Sequence, residues 1–178
     1  MRNKNSLNQK IIIAFAGFCD IFIPMIAILD NIRSSHNVGS IFRTSDGLGV
    51  EKLYLCGITP SPIDRFGREN TNMTKVSLGA ENFVKWEKTE NTRDTLKKLK
   101  TQSYEIIAIE QNEKSKSILK AKIKGEKIAL VFGEEVKGLK KETLDLCDEI
   151  FEIPMKGKKE SFNVAIAYAI ACYELIGK

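Results

Sequence analysis

The chain has 178 residues, is 43% hydrophobic and 29% charged, and carries a formal charge of +5, the make-up of one globular domain with a substantial core rather than of a disordered or repeat chain. The surplus of Lys and Arg is compatible with a polyanionic partner without requiring one. Cys19, Cys56, Cys147 and Cys172 form no C-x-x-C pair and His36 is the single histidine, so a histidine-rich metal centre is excluded, zinc and disulfide frameworks lack support, and no metal is expected.

In chain order, Arg2, Lys4 and Lys10 precede an apolar run from Ile11 to Leu29 that superficially resembles a signal or membrane segment. Asp20 and Pro24 interrupt it, and no small-residue cleavage site follows. A soluble, cytoplasmic chain with no membrane partner is the expectation. Residues 1–22 are then an N-terminal extension, with Ile11 to Ile21 packed on the domain or in an oligomer contact, and 23–178 the domain proper. From Ile23 onward short apolar runs alternate with helical periods, the habit of a parallel sheet with helices on both faces. Strands are predicted at Ile23 to Leu29, Lys52 to Ile58, Glu105 to Glu110, Lys127 to Phe132 and Glu149 to Ile153. Helices are predicted near Val38 to Leu48, Thr92 to Thr101, Leu139 to Cys147 and Ser161 to Ile176. Thr59 to Ala80, with Pro60, Pro62, Asp64, Arg65, Arg68 and Lys75, has no period and reads as a long loop.

Three segments that follow predicted strands carry the chemistry, since open parallel sheets place ligand crevices there. The first runs from Leu29 to Thr44. Asn37 is expected to cap the new helix, Val38, Ile41 and Phe42 to face inward, and bare Gly39 to let a phosphate approach backbone amides while Arg43 grips it. The same residues also read as an ordinary capped amphipathic helix with a surface arginine. The second, Leu130 to Leu139, ends a buried strand in a turn with Gly133, Glu134, Glu135 and Gly138. Two acids argue against a phosphate and favour a ligand with a positive or hydrogen-bonding group; a plain strand-to-helix turn with solvated acids fits equally. The third, Ile153 to Val164, passes through a basic loop to Ser161 and Asn163 at the mouth of an apolar helix, where simple capping by Ser161 is the alternative.

Taken in this order, the segments resemble the three motifs of the SpoU/TrmH family in the SPOUT superfamily of RNA methyltransferases. Asn37, Gly39 and Arg43 match the first motif; Gly133, Glu135 and Gly138 the second; Ile153-Pro154-Met155 with Ser161 and Asn163 the third, from Asp30 to about Leu175 in all. The resemblance implies a SPOUT-type catalytic domain over 23–178, its parallel sheet tied at the C-terminal end in a deep trefoil knot. It implies S-adenosyl-L-methionine as cofactor, bound around Ile109, Glu110, Phe132, Gly133, Gly138, Ile153, Met155 and Phe162, and a homodimer that builds each site across the subunit interface. The apolar last helix would serve that interface, with Ala171 expected on its contact face. It implies transfer of a methyl group to a ribose 2′-hydroxyl of tRNA or rRNA. Arg43 is then the catalytic residue, Asn37 orients it or the ribose, and Glu135, Ser161 and Asn163 hold the active loops and cofactor together.

Glu134, Phe162 and Ala165 depart from residues common in the family and are expected to alter fit more than chemistry. The residues before the first motif are too few for a separate RNA-binding domain, which favours tRNA as the target of a compact enzyme. RNA contact then falls to Arg43, Arg65, Arg68, Lys75, Lys156, Lys158 and Lys159, with Lys137, Lys140 and Lys141 also available. An RNA-binding protein with the SPOUT fold but no activity is the alternative, and the intact Asn37, Arg43, Glu135 and Asn163 set argues against it.

Overall fold

The computed structural model describes residues 23–176; the expected N-terminal extension lies outside them. Strands β1 (Met25–Asp30), β2 (Lys52–Cys56), β3 (Lys85–Thr89), β4 (Glu105–Ile109), β5 (Lys116–Ser117), β6 (Ile128–Phe132) and β7 (Glu149–Glu152) form one sheet in the order β3-β2-β1-β6-β4-β7-β5. Every pairing is parallel. Late in the chain, β6 inserts between β1 and β4, with Ile128 in register with both Met25 and Glu105. That order is compatible with the knot implied by the motifs.

Both faces are covered because the strand residues alternate between two cores. Met25, Ala27, Leu29, Leu53, Leu55, Ile107, Leu130 and Phe132 point to one side, where helices α1 (Ser35–Leu48) and α5 (Val164–Leu175) pack. Ile26, Ile28, Tyr54, Ile106, Ala108 and Val131 point to the other, under α3 (Thr92–Thr101) and the single turn α4 (Lys141–Leu144). Val38, Ile41 and Phe42 are fully buried, as their spacing predicts; deleting a ring such as that of Phe42 costs about 3–5 kcal/mol. Buried Tyr168 joins α5 to α1 through a 2.6 Å hydrogen bond with Ser45.

Several sequence expectations change. Ser34, not Asn37, caps α1, accepting from the Asn37 amide at 3.2 Å, and Gly49 ends the helix at φ 69°. Asn163, not Ser161, caps α5. The long polar segment holds a helix, α2 (Thr71–Ser77), capped by Asn70. Gly39 exists for that helix: a Cβ there would lie 2.6 Å from the Met73 carbonyl oxygen, so its bareness admits α2 rather than a phosphate. Ala171 is fully buried in the protomer core; the outward apolar residues of α5 are Ile166, Ile170 and Tyr173. Of the cysteines described, Cys56 and Cys172 are buried and Cys147 half-buried, and none is paired. Burial pushes the thiols of Cys147 and Cys172 up to about 12. Among the described residues no helix is long and apolar enough to cross a membrane.

Candidate active site

At the C-terminal edge of the central strands, a cleft of about 290 Å³ opens between the loop after β6, the end of β4 and the segment before α5. Its walls include Ile109, Phe132, Ile153, Phe162, Val164 and Ala167 on the apolar side, and Glu110, Glu134, Glu135 and Glu152 on the acidic side. With four carboxylates against the single cation of Lys137, such a lining suits a ligand with a flat or apolar body and a cationic centre.

The loop after β6 is fixed by its glycines and by Glu110. A Cβ on Gly133 would sit 2.5 Å from the Gly138 carbonyl carbon, so only glycine lets the loop fold back on itself. Gly138 adopts φ 63° and lies against the Glu110 carboxylate, where a Cβ would collide. Glu110 accepts from the Leu139 amide at 2.7 Å and from the Gln111 amide at 3.0 Å. Its carboxylate therefore staples this loop.

A chain of side-chain hydrogen bonds then joins the three motif segments. Asn37 in the first turn of α1 donates through Nδ2 to Glu135 Oε1 at 2.8 Å. Asn163 Nδ2 donates to Asn37 Oδ1 at 3.1 Å, while its own Oδ1 accepts from the Ala165 amide at 2.9 Å. An amide side chain is the residue type that can accept at one atom and donate at the other; Asn37 uses both. Glu134 is half-buried and pairs with exposed Arg33 at 3.4 Å.

Most of the predicted site residues converge. Ile109, Glu110, Phe132, Gly133, Gly138, Ile153 and Phe162 line the cleft, as do Glu135 and Ser161. Met155 does not: β7 ends at Glu152, the chain leaves the sheet, and the wall stops at Ile153. Arg43 is also outside the cleft wall, exposed on α1 with no hydrogen bond or ion pair among the described residues. One residue further along α1, Thr44 enters a mostly apolar groove of about 570 Å³ between α1 and α5, lined also by Gly47, Leu48, Ala169, Ile170, Tyr173 and Glu174. Lys156, Lys158 and Lys159 lie exposed in the segment before α5, whose Glu160 carbonyl accepts from Gln111 at 2.7 Å. Glu152, Val164 and Ala167 line the cleft but are not among the site residues expected from sequence; the register of β7 and the apolar stripe of α5 are the signals that place them.

Arg65 and Arg68 flank Phe66 at the tip of a small hairpin after β2, and Lys75 is exposed on α2. Asp64 builds that tip by accepting from the amides of Phe66 and Arg68 and from Arg68 Nε at 2.8 Å. The Arg68 amide, with the Phe66 amide and the Arg68 guanidinium, holds the Asp64 carboxyl below the usual carboxylate range.

Compared with known proteins, residues 24–173 match the model of the SpoU rRNA Methylase family. The 23S rRNA (guanosine-2′-O-)-methyltransferases RlmB of Ralstonia nicotianae and Escherichia coli are each 31% identical over 86% of this chain. The chain spans 58% and 60% of their lengths, respectively. In structure, an AdoMet-bound rRNA methyltransferase from Sinorhizobium meliloti superposes with a TM-score of 0.77 at 24% identity, over 85% of this chain and 55% of that one. The TrmH/SpoU tRNA modifying enzyme of A. aeolicus gives 0.73 at 28% identity, over 85% and 73%.

Proposed function

The chain belongs to the SpoU rRNA methylase family, and from that premise we propose that it methylates a ribose 2′-hydroxyl of tRNA or rRNA in the cytoplasm, using S-adenosyl-L-methionine. The observation that carries this reading is the Glu135–Asn37–Asn163 chain, which gathers all three motif segments at the rim of one acid-and-apolar cleft. The RlmB relatives are named for a guanosine of 23S rRNA, which makes rRNA as good a target as the tRNA favoured from sequence.

The cleft fits the methyl donor by its chemistry. When bound, the donor supplies an electrophilic methyl on a positively charged sulfonium. Ile109, Phe132, Ile153 and Phe162 would hold its flat and apolar parts, and the acids of the rim would favour its charge. The Arg43 guanidinium offers five N–H donors and no acceptor, so no base role falls to it. Its fork would instead hold an RNA phosphate, one of whose oxygens would accept the proton that the adjoining 2′-hydroxyl gives up as its oxygen receives the methyl group from the donor's sulfur. Asn37, Glu135 and Asn163 keep the loops in one arrangement, and Ser161 lines the mouth. The exposed apolar residues of α5, Ile166, Ile170 and Tyr173, beside the groove between α1 and α5 support a homodimer in which a second copy covers them.

The test is incorporation of labelled methyl into total tRNA and rRNA, with the modified nucleotide identified by mass spectrometry. Arg43→Ala should abolish transfer and leave donor affinity by calorimetry nearly unchanged. Equal turnover in that variant, or no methyl uptake by any RNA, would overturn the reading.

A further inference from the structure

The hairpin after β2 keeps an aromatic ring in water at its tip. Phe66 is 67% exposed, yet its surroundings are ordered: Asp64 fixes the turn, Gly67 completes it at φ 79°, and Ile63 bridges to Glu69 across the hairpin. The Arg65 and Arg68 guanidiniums lie 4.8 Å and 5.1 Å from the ring centroid. Arg68 is held there by its bond to Asp64. Below the tip a cleft of about 940 Å³ runs to the edge strand, with Trp86 and Lys88 in its wall. Lys88 is already engaged, donating to the Gly57 and Thr59 carbonyls.

The hairpin is also tied to the candidate active site. Asn70 at its end donates to Ser35 Oγ at 3.1 Å, in the turn of α1 that carries Asn37. At its start, Ile58 donates its amide to Asn31 Oδ1 at 3.1 Å, directly after β1. A pre-ordered, exposed ring with two cations beside it, hydrogen-bonded at both ends of its segment to the first motif, is the combination that single-stranded nucleic acid needs. Each base offers a π face for stacking, and the phosphates on either side require positive charge. An acidic protein surface would use the arginines and gain nothing from the ring.

We propose that Phe66, with Arg65 and Arg68, is a stacking platform for one unpaired nucleobase of the RNA substrate, whose neighbouring phosphates contact the two arginines. This rests on the reading of RNA as substrate, and it adds a recognition site to it. Trp86, the chain's single tryptophan, lines the same cleft and so reports occupancy by its fluorescence.

The experiment titrates the full chain, without methyl donor, with a short oligoadenylate and with an abasic ribose-phosphate oligomer of equal length. Oligoadenylate is expected to quench Trp86 and bind about tenfold more tightly than the abasic strand. Phe66→Ala should bring that ratio to about one with the salt dependence unchanged, and Phe66→Tyr should restore it. Arg65→Gln should weaken both strands and reduce the slope of log affinity on log salt by about one. Equal binding of the two strands by the wild type, or an unchanged ratio in Phe66→Ala, overturns the platform. A protein that shows the base-dependent quench but incorporates no methyl refutes the enzyme and leaves the platform standing. One that methylates RNA with Phe66→Ala at unaltered KM refutes the platform alone.

Discussion

The loop after β6 and the hairpin after β2 leave the same edge of the sheet and are held in opposite ways. The first is fastened from below and from the side: Glu110 accepts from the Leu139 amide, and Asn37 donates to Glu135. It presents backbone, glycine and acid to a small cleft. The second is fastened mainly to itself, through Asp64, Arg68 and the Ile63–Glu69 bridge, and presents a ring and two cations to open water. A loop braced by its neighbours encloses a small molecule; one braced by its own turn can meet a large partner without disturbing the enclosure.

Substitutions can break that contrast. The largest effect is expected from Gly133→Val, which drives side-chain atoms into the Gly138–Leu139 backbone. Overpacking of this kind costs about 1–3 kcal/mol; donor affinity measured by calorimetry should collapse while oligonucleotide binding at the hairpin persists. A shared loss would mean the two loops are one unit. Next, Asn37→Ala leaves both Glu135 and Asn163 without their partner and should lower stability by about 1–2 kcal/mol in urea unfolding, with turnover falling more than donor affinity. Ile170→Asp should turn a micromolar dimer into monomer by light scattering with the fold intact by circular dichroism; a monomeric wild type would remove the second copy from the mechanism. The smallest change belongs to Arg33→Gln. Its ion pair with Glu134 is mostly exposed on the arginine side, so less than about 1 kcal/mol is at stake.

The central strands β1, β2, β4 and β6 were legible because they are buried and almost wholly apolar, and β7 because its Ile-Phe pair follows a helical stretch; all five fall inside or within a residue or two of the expected spans. The edge strand β3, Lys-Trp-Glu-Lys-Thr, was not, since one rim of it is solvated and its sequence is mostly polar. Helix α2 was hidden for a related reason: only Met73 and Ser77 are buried in it, and what secures it is close approach to Gly39, a tertiary fact with no local signature. The site residues were nameable from the motif resemblance, but their geometry was not. Asn37 meets Glu135 and Asn163 across separations of 98 and 126 residues, so its place as the hub, rather than as a helix cap, is visible only in three dimensions. Phe66 carried one faint signal, the run Arg65-Phe66-Gly67-Arg68, which periodicity treats as turn.

The insertion of β6 between β1 and β4 has a kinetic meaning. Strand β1 cannot gain its inner neighbour until Ile128, far along the chain from Met25, has been synthesised. Closing a loop of that size is entropically slow, and parallel pairings between remote strands are formed late. During translation β1, β2 and β3 can associate early as a half-sheet with a bare hydrogen-bonding margin, a template for mispairing until β6 arrives. Pairing of β6 with β1 and β4 is therefore the step that closes the centre of this sheet.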